Sequence, residues 1–233
     1  MRRTISRELL DDDIGHPAEL KASLHDLWRL NRQFGGVSGS LGLLDRVLAR
    51  TGAQQVRIMD AGAGDGRLAG WLQQELARRG LKTCFCALDQ RISHLSFWRP
   101  SPDPIQRVAA SAMELPFREG AFDVVMCNLF VHHFSGEALH KLLREMVRVS
   151  KTAVLVNDLE RRWLPYLFIR YAPFVAHSPL TRPDGAASVR QAYTRRELAA
   201  LAAGCGASSS EVMALPFFRL GVILWKNHLH AAM

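Results

Sequence analysis

Cysteine is scarce in this chain: four occur among 233 residues, and no two of them are spaced Cys-x-x-Cys. Cys84 and Cys86 lie two apart, where they would share one face of a strand, while Cys127 and Cys205 stand alone. That pattern argues against a zinc ribbon, a dithiol redox pair and a disulfide framework, and leaves the four as small core residues. A run of about 18 apolar residues is also missing, which speaks against a membrane-spanning helix. The greasiest stretches, WLPYLFIRYAPFVAH (163–177) and MALPFFRLGVILW (213–225), are broken by proline and arginine. The opening MRRTISRELLDDD carries arginines but no apolar segment behind them, so it does not read as a secretory signal, and a cytoplasmic location is expected. Long basic blocks are absent too. Lysine and arginine total 30 against 22 acidic residues, a formal charge of +8. Yet the arginines come as pairs (Arg2-Arg3, Arg78-Arg79, Arg161-Arg162, Arg195-Arg196), not in runs of about five or six, and a nucleic-acid partner is not expected.

What is present is ordinary globular composition, 48% hydrophobic and 22% charged, in which β-rich runs alternate with helical patterns. The strand candidates are VRIMD (56–60), TCFCALD (83–89), QRVAA (106–110), FDVVMC (122–127), TAVLVN (152–157), SEVMAL (210–215) and LGVILWK (220–226). RLAGWLQQELARR and GEALHKLLREMVRV between them repeat apolar residues at helical spacing, with Gly80 as a C-cap of the first. Alternation of this kind predicts a parallel sheet with helices on both faces. The last two strands are too close in sequence for a parallel crossover and must form an antiparallel hairpin. The expected fold is therefore α/β: a Rossmann-like, seven-stranded, mostly parallel sheet with a C-terminal antiparallel hairpin. We divide this single domain, residues 1–233, into an N-terminal helical cap (1–55), a cofactor-binding core (56–158), a lid insertion (159–194) and a C-terminal helix and hairpin (195–233).

The segment RIMDAGAGDGRL (57–68) leaves the first strand at Asp60 and sets Gly62, Gly64 and Gly66 at every second position. A dinucleotide fingerprint would place its third glycine at position 67, where Arg67 stands, and the Gly-Lys-Ser/Thr of a phosphate-binding loop is absent. An acid at the strand end is a poor neighbour for pyrophosphate and a good one for a cation. S-adenosylmethionine has an ammonium and a sulfonium. The pattern Asp-x-Gly-x-Gly-x-Gly, followed by LPF (115–117) and FDVV (122–125), resembles the class I S-adenosylmethionine-dependent methyltransferases, in particular their small-molecule group; the resemblance covers residues 54–160.

That resemblance implies a cofactor site made of Asp60, Gly62, Gly64, Gly66, Asp89, Gln90, Ser111, Ala112, Met113, Asn128 and Leu129. Asp89, which ends the second strand, would accept the ribose hydroxyls or, alternatively, cap the next helix. Ser111 departs from the family, which commonly has an aspartate there for the adenine amino group. Met113 would pack on the adenine face or in the core. His132 and His133, in NLFVHHF, are the candidates for a catalytic base, against a simple packing role.

Methyl transfer is an in-line displacement in which the protein chiefly aligns its reactants, so the lack of any triad is no obstacle. The Asp/Asn-Pro-Pro-aromatic motif of amide and adenine N-methylation is missing after Asn128, as is the Pro-Cys pair of cytosine C5 chemistry. Asn128 also replaces an acid that a metal-assisted catechol site would need, so no metal is expected. In the lid, Trp163, Tyr166, Arg170, Tyr171 and Phe174 recur at helical spacing and are the substrate candidates; packing of the lid on the sheet is the competing account. Arg182, Asp184, Ser188 and Arg190 belong to an expected polar loop that either holds an acidic substrate group or ties the lid down. The sequence thus points to a small, aromatic or lipophilic acceptor, methylated on oxygen or, next, on carbon. An RNA or protein methyltransferase and a non-catalytic binding protein are the alternatives.

Overall fold

The computed structural model describes residues 1–12, 14–98, 105–172 and 176–226. Two helices, α1 (Pro17–Gln33) and α2 (Gly36–Thr51), precede the sheet. The chain then alternates through β1 (Gln55–Ala61), α3 (Arg67–Arg78), β2 (Lys82–Asp89), the short α4 (Ile92–Ser96), β3 (Gln106–Ala109) and β4 (Phe122–Asn128). A single 3-10 turn at Val131–His133 leads to α5 (Glu137–Val149) and β5 (Ser150–Leu159). Three further helices, α6 (Trp163–Tyr171), α7 (Thr181–Gln191) and α8 (Arg195–Ala202), come before the hairpin β6 (Ser209–Leu215) and β7 (Arg219–Trp225).

The strand order is β3-β2-β1-β4-β5-β7-β6. All neighbours are parallel up to β5, and β7 runs antiparallel between β5 and β6. Central strands read as unbroken apolar runs because helices cover both faces; every residue of β7 is buried. Met59 and Ala61 of β1 point to the face that α5 covers with Leu139, Leu142, Leu143 and Met146. Val56 and Ile58 point to the other, covered by Leu43, Leu44 and Val47 of α2 and by Leu68, Leu72 and Leu76 of α3. The edge strand β6 stays half-exposed. Its connection to β7 passes through Phe217 and Phe218, both left-handed, with φ of 59° and 55°, the backbone that a tight hairpin demands.

One expectation needs correcting. The stretch TRPDGAASVRQ is no polar loop but the helix α7. Its small residues let α6 approach closely: a Cβ on Gly185 would stand 2.7 Å from Ile169 Cγ1, and Ile169, Ala186 and Val189 form their own small core. Asp184 accepts the backbone amides of Leu9 and Leu10, each at 3.0 Å. Of the two roles foreseen for these polar residues, Asp184 thus performs the tying one.

Candidate active site

The carboxyl ends of β1, β2 and β4 open into a cavity of about 450 Å³. Its floor is the glycine turn. Gly62, Gly64 and Gly66 have φ of 69°, 57° and 79°, a region that side chains with a Cβ enter at a cost. Space also matters at Gly62, where a Cβ would run into the Phe130 ring. Gly66 does not line the cavity; it starts α3, and a Cβ there would come within 2.9 Å of Ile105. Asp60, Gly62, Gly64, Asp89, Gln90, Ser111, Ala112, Met113, Asn128 and Leu129 all line the cavity, together with His132 and His133.

Asp60 is 2% exposed, and its Oδ1 has no hydrogen-bond partner among the described residues. Burial first, and the nearby Asp89 charge second, push its carboxyl up to about 8. A buried carboxylate oxygen without a donor is costly, and either a retained proton or a bound cation relieves that cost. Asp89 differs: its Oδ2 accepts Gly64 N at 2.8 Å and its Oδ1 accepts Arg91 N at 2.8 Å. Those two amides aim the carboxylate into the cavity and leave about half of its lone-pair sites unused. The Ser111 hydroxyl accepts Met113 N at 3.2 Å, which closes the turn that positions Ala112 and Met113. Asn128 Oδ1 accepts a bond from Arg219 Nη1 at 3.2 Å, while Arg219 Nη2 donates to Asn31 Oδ1 at 2.8 Å. Arg219 is 3% exposed, and burial lowers its guanidinium to about 10. Beyond Asn128, Leu129 adopts φ of 53°, unusual for a leucine and located where β4 releases the chain over the cavity.

The roof comes from elsewhere. Arg3 donates to the carbonyls of His132, Phe134 and Gln191, and Glu8 Oε1 accepts Ser188 Oγ and Gln191 Nε2, both at 2.8 Å. This N-terminal strap brings Glu8, Leu10, Asp11 and Asp12 to the cavity, and α1 adds Leu24, Leu27, Trp28 and Asn31. His132 is 2% exposed. Its Nδ1 lies 2.7 Å from Asp158 Oδ1, and its Nε2 lies 3.6 Å from Glu8 Oε1. Burial opposes a charge on this ring, but the Asp158 and Glu8 carboxylates outweigh it and push the imidazole up to about 10.

The structure therefore gathers the cofactor and histidine candidates, with Gly66 just outside, and leaves the substrate candidates apart. Trp163, Tyr166, Arg170 and Tyr171 do not line the cavity; Trp163 and Tyr171 are 59% and 67% exposed, and Tyr166 packs against the small α6–α7 core. Phe174 lies outside the described residues. Glu8 and Arg219 escaped the sequence reading. Neither belongs to a motif, and only the fold brings them in, although an arginine heading an otherwise apolar strand (RLGVILW) was a usable signal. The basic pairs are largely spent on internal contacts: Arg79 on Asp45 and Glu75, Arg161 on Glu197, Arg162 on Glu160.

Residues 59–155 match a family described as "Methyltransferase domain". Among solved structures, the plantazolicin methyltransferase BamL, in complex with a triazolic desmethylPZN analog and SAH, aligns at a TM-score of 0.67 and 12% identity, over 94% of this chain and 98% of that one. Human N-acetylserotonin methyltransferase, in complex with SAM, aligns at 0.63 and 14%, over 91% of this chain and 56% of that one. A SAM-dependent methyltransferase from Aquifex aeolicus aligns at 0.55 and 16%, over 78% and 89%. No curated protein matches the sequence. The residues present fit an S-adenosyl group, since the unpartnered Asp60 oxygen offers a cation its counter-charge and the glycine turn leaves room for close backbone approach.

Proposed function

We propose that this chain, an S-adenosylmethionine-dependent methyltransferase, methylates a small aromatic or lipophilic acceptor, on oxygen by preference and on carbon next. S-adenosylmethionine, when bound, supplies a sulfonium methyl group and leaves as S-adenosylhomocysteine. Asp60 would pair with the amino-acid ammonium, and the free lone pairs of Asp89, beside Gln90, would receive the ribose hydroxyls. Ala112 and Met113 would hold the adenine, with the Ser111 hydroxyl still able to donate. Asn128, held by Arg219, and the left-handed Leu129 turn would help to hold the donor end of the cofactor. His132 and His133 would stand on the acceptor's side of the cavity. The strap keeps water out, so that alignment does most of the catalysis.

The acceptor class rests on one observation. Of ten exposed large hydrophobic side chains among the described residues, seven (Trp163, Leu164, Leu167, Phe168, Tyr171, Phe217 and Phe218) belong to α6 and the β6–β7 turn. Phe34 joins the two groups, with ring centroids 5.4 Å from Phe168 and 5.8 Å from Phe217. Arg219 in turn ties the Phe34 carbonyl to Asn31 and Asn128 on the cavity wall. An apolar patch linked in this way to residues of the cavity wall suits the hydrocarbon part of an acceptor. No described helix is long and apolar enough to cross a membrane. Radiolabelled methyl transfer to phenols and quinols with alkyl tails of increasing length tests this reading: KM should fall as the tail grows. Transfer to RNA or protein, with every phenol inert, would replace it.

A further inference from the structure

Where the strap crosses the 3-10 turn, one carboxylate and two imidazoles meet on the cavity wall. Glu8, His132 and His133 each bring a ligand-capable atom within 4.8 Å of the others. His132 Nε2 is buried without a hydrogen-bond partner among the described residues. We propose that these three residues form a binding site for one divalent first-row transition-metal ion, zinc being the best match to two nitrogen donors and one carboxylate.

The surroundings are those of a metal site. A ligating histidine usually gives its other ring nitrogen to a carboxylate, which fixes the tautomer and strengthens the donor. His132 does so through Nδ1 to Asp158 Oδ1 at 2.7 Å. Asp158 is itself fixed by the amides of Phe130, His132 and Leu159. His133 is steadied likewise, its Nδ1 lying 2.9 Å from Asp11 Oδ2. Donors about 2.0–2.2 Å from a tetrahedral ion stand about 3.3–3.6 Å apart. The 3.6 Å between His132 Nε2 and Glu8 Oε1 already matches that spacing, and the His133 ligand atom lies within 4.8 Å of both. All three ligands line the cavity, so the fourth position faces it and can take an oxygen donor. The ion would also fasten residue 8 to residues 132–133, closing the roof. The strand-end positions gave no hint of this, because Asn128 stands where an acid was sought and the third ligand arrives from the far N-terminus. Metal uptake is measured without cofactor or acceptor, and its outcome leaves the methyl-transfer reading untouched.

The experiment strips the purified full chain with EDTA, then titrates zinc against a chromophoric chelator and counts retained metal after gel filtration. One equivalent should bind and raise the thermal midpoint. Glu8→Gln and His133→Ala should each weaken binding by more than the roughly 10–100-fold that losing an outer partner costs, and Asp11→Asn by about that amount. His140→Ala, outside the cavity, should change nothing. Buried His132 is left intact to protect the fold, and circular dichroism verifies that the variants are folded. Absence of saturable zinc uptake would show that the three side chains hold no ion, and uptake undiminished in both folded variants would put the ion elsewhere; either result overturns the site.

Discussion

The floor and the roof of the cavity are held together across very different lengths of chain. On the floor, Asp89 takes the amide of Gly64, 25 residues away, and Asp158 takes that of Phe130, 28 away. On the roof, Glu8 meets Ser188 across 180 residues, Leu10 meets Asp184 across 174, and Arg3 meets His132 across 129. The floor is bolted to five parallel strands, and its conformation comes with the sheet. The roof consists of a strap, α1 and α7, clipped together by side-chain contacts that can open without unfolding the core. An enzyme that must admit two molecules and exclude water benefits from that inequality.

The largest effect belongs to the floor. Asp60→Asn removes the buried carboxylate proposed to face the cofactor's ammonium, and losing one partner of a buried charge pair costs about 2–5 kcal/mol. S-adenosylhomocysteine binding by calorimetry should weaken by about 30-fold to a few thousandfold. The unliganded protein should become more stable, for a reason whose sign is fixed. Asp60 holds its proton up to about pH 8 when folded, against an ordinary value of 3.8. The folded state therefore binds the extra proton between those limits, and stability falls as pH rises through that window, by up to about 1.4 kcal/mol per pH unit. The Asn variant should lose this slope in chemical denaturation. If the slope persists and binding is unchanged, Asp60 is not the cofactor's counter-charge.

The same proton governs affinity in the wild type. If Asp60 is the cofactor's counter-charge, as proposed, binding needs it ionised, and affinity should climb by nearly tenfold per pH unit from pH 6 and level off near pH 8. A rise that levels off near pH 8 in the wild type, and is flattened in Asp60→Asn, is the expected profile. A flat wild-type profile would detach cofactor binding from this carboxylate.

This contrast also explains what could be read beforehand. Strand identity, the hairpin and the floor residues from Asp60 to Leu129 were legible, because apolar runs fix the strands and the chain delivers each site residue as it leaves one. Gly66 was legible as a glycine but not as a packing residue, since its constraint is Ile105, which no local pattern reveals. Glu8, Arg219 and the helical nature of α7 were not legible. Their reasons are partners more than 90 residues away: Ser188 for Glu8, Asn128 for Arg219. The aromatic spacing of the lid marks a helix, and Trp163–Tyr171 is one. Periodicity tells which residues share a face and leaves open what that face meets.

On the roof, the intermediate effect comes from Asp184→Ala. Losing both acceptors frees the amides of Leu9 and Leu10, and contacts of this kind carry about 1–3 kcal/mol. Hydrogen exchange at those two amides should accelerate by about 5- to 150-fold, while amides of the central strands keep their protection. Cofactor KM should rise and kcat change less, because the floor still aligns what has bound. Equal acceleration in strap and sheet would show that floor and roof open as one unit.

The smallest effect is expected where the roof ends and solvent begins. Leu164 is 61% exposed and Phe217 54%, so Leu164→Ser and Phe217→Ser should move stability by no more than about 0.5 kcal/mol, the usual range for exposed positions. Cofactor affinity, set on the floor, should not move at all. The change should appear only in the KM of a long-tailed acceptor, by several-fold, and vanish for the same ring without a tail. Each buried methylene contributes about 0.8 kcal/mol, so the penalty should grow with tail length until the tail outruns α6. That growth separates a surface that receives the acceptor from one that merely stays dry. A penalty independent of tail length would mean that α6 acts through the fold, and the acceptor would then have to be sought entirely within the walls of the cavity.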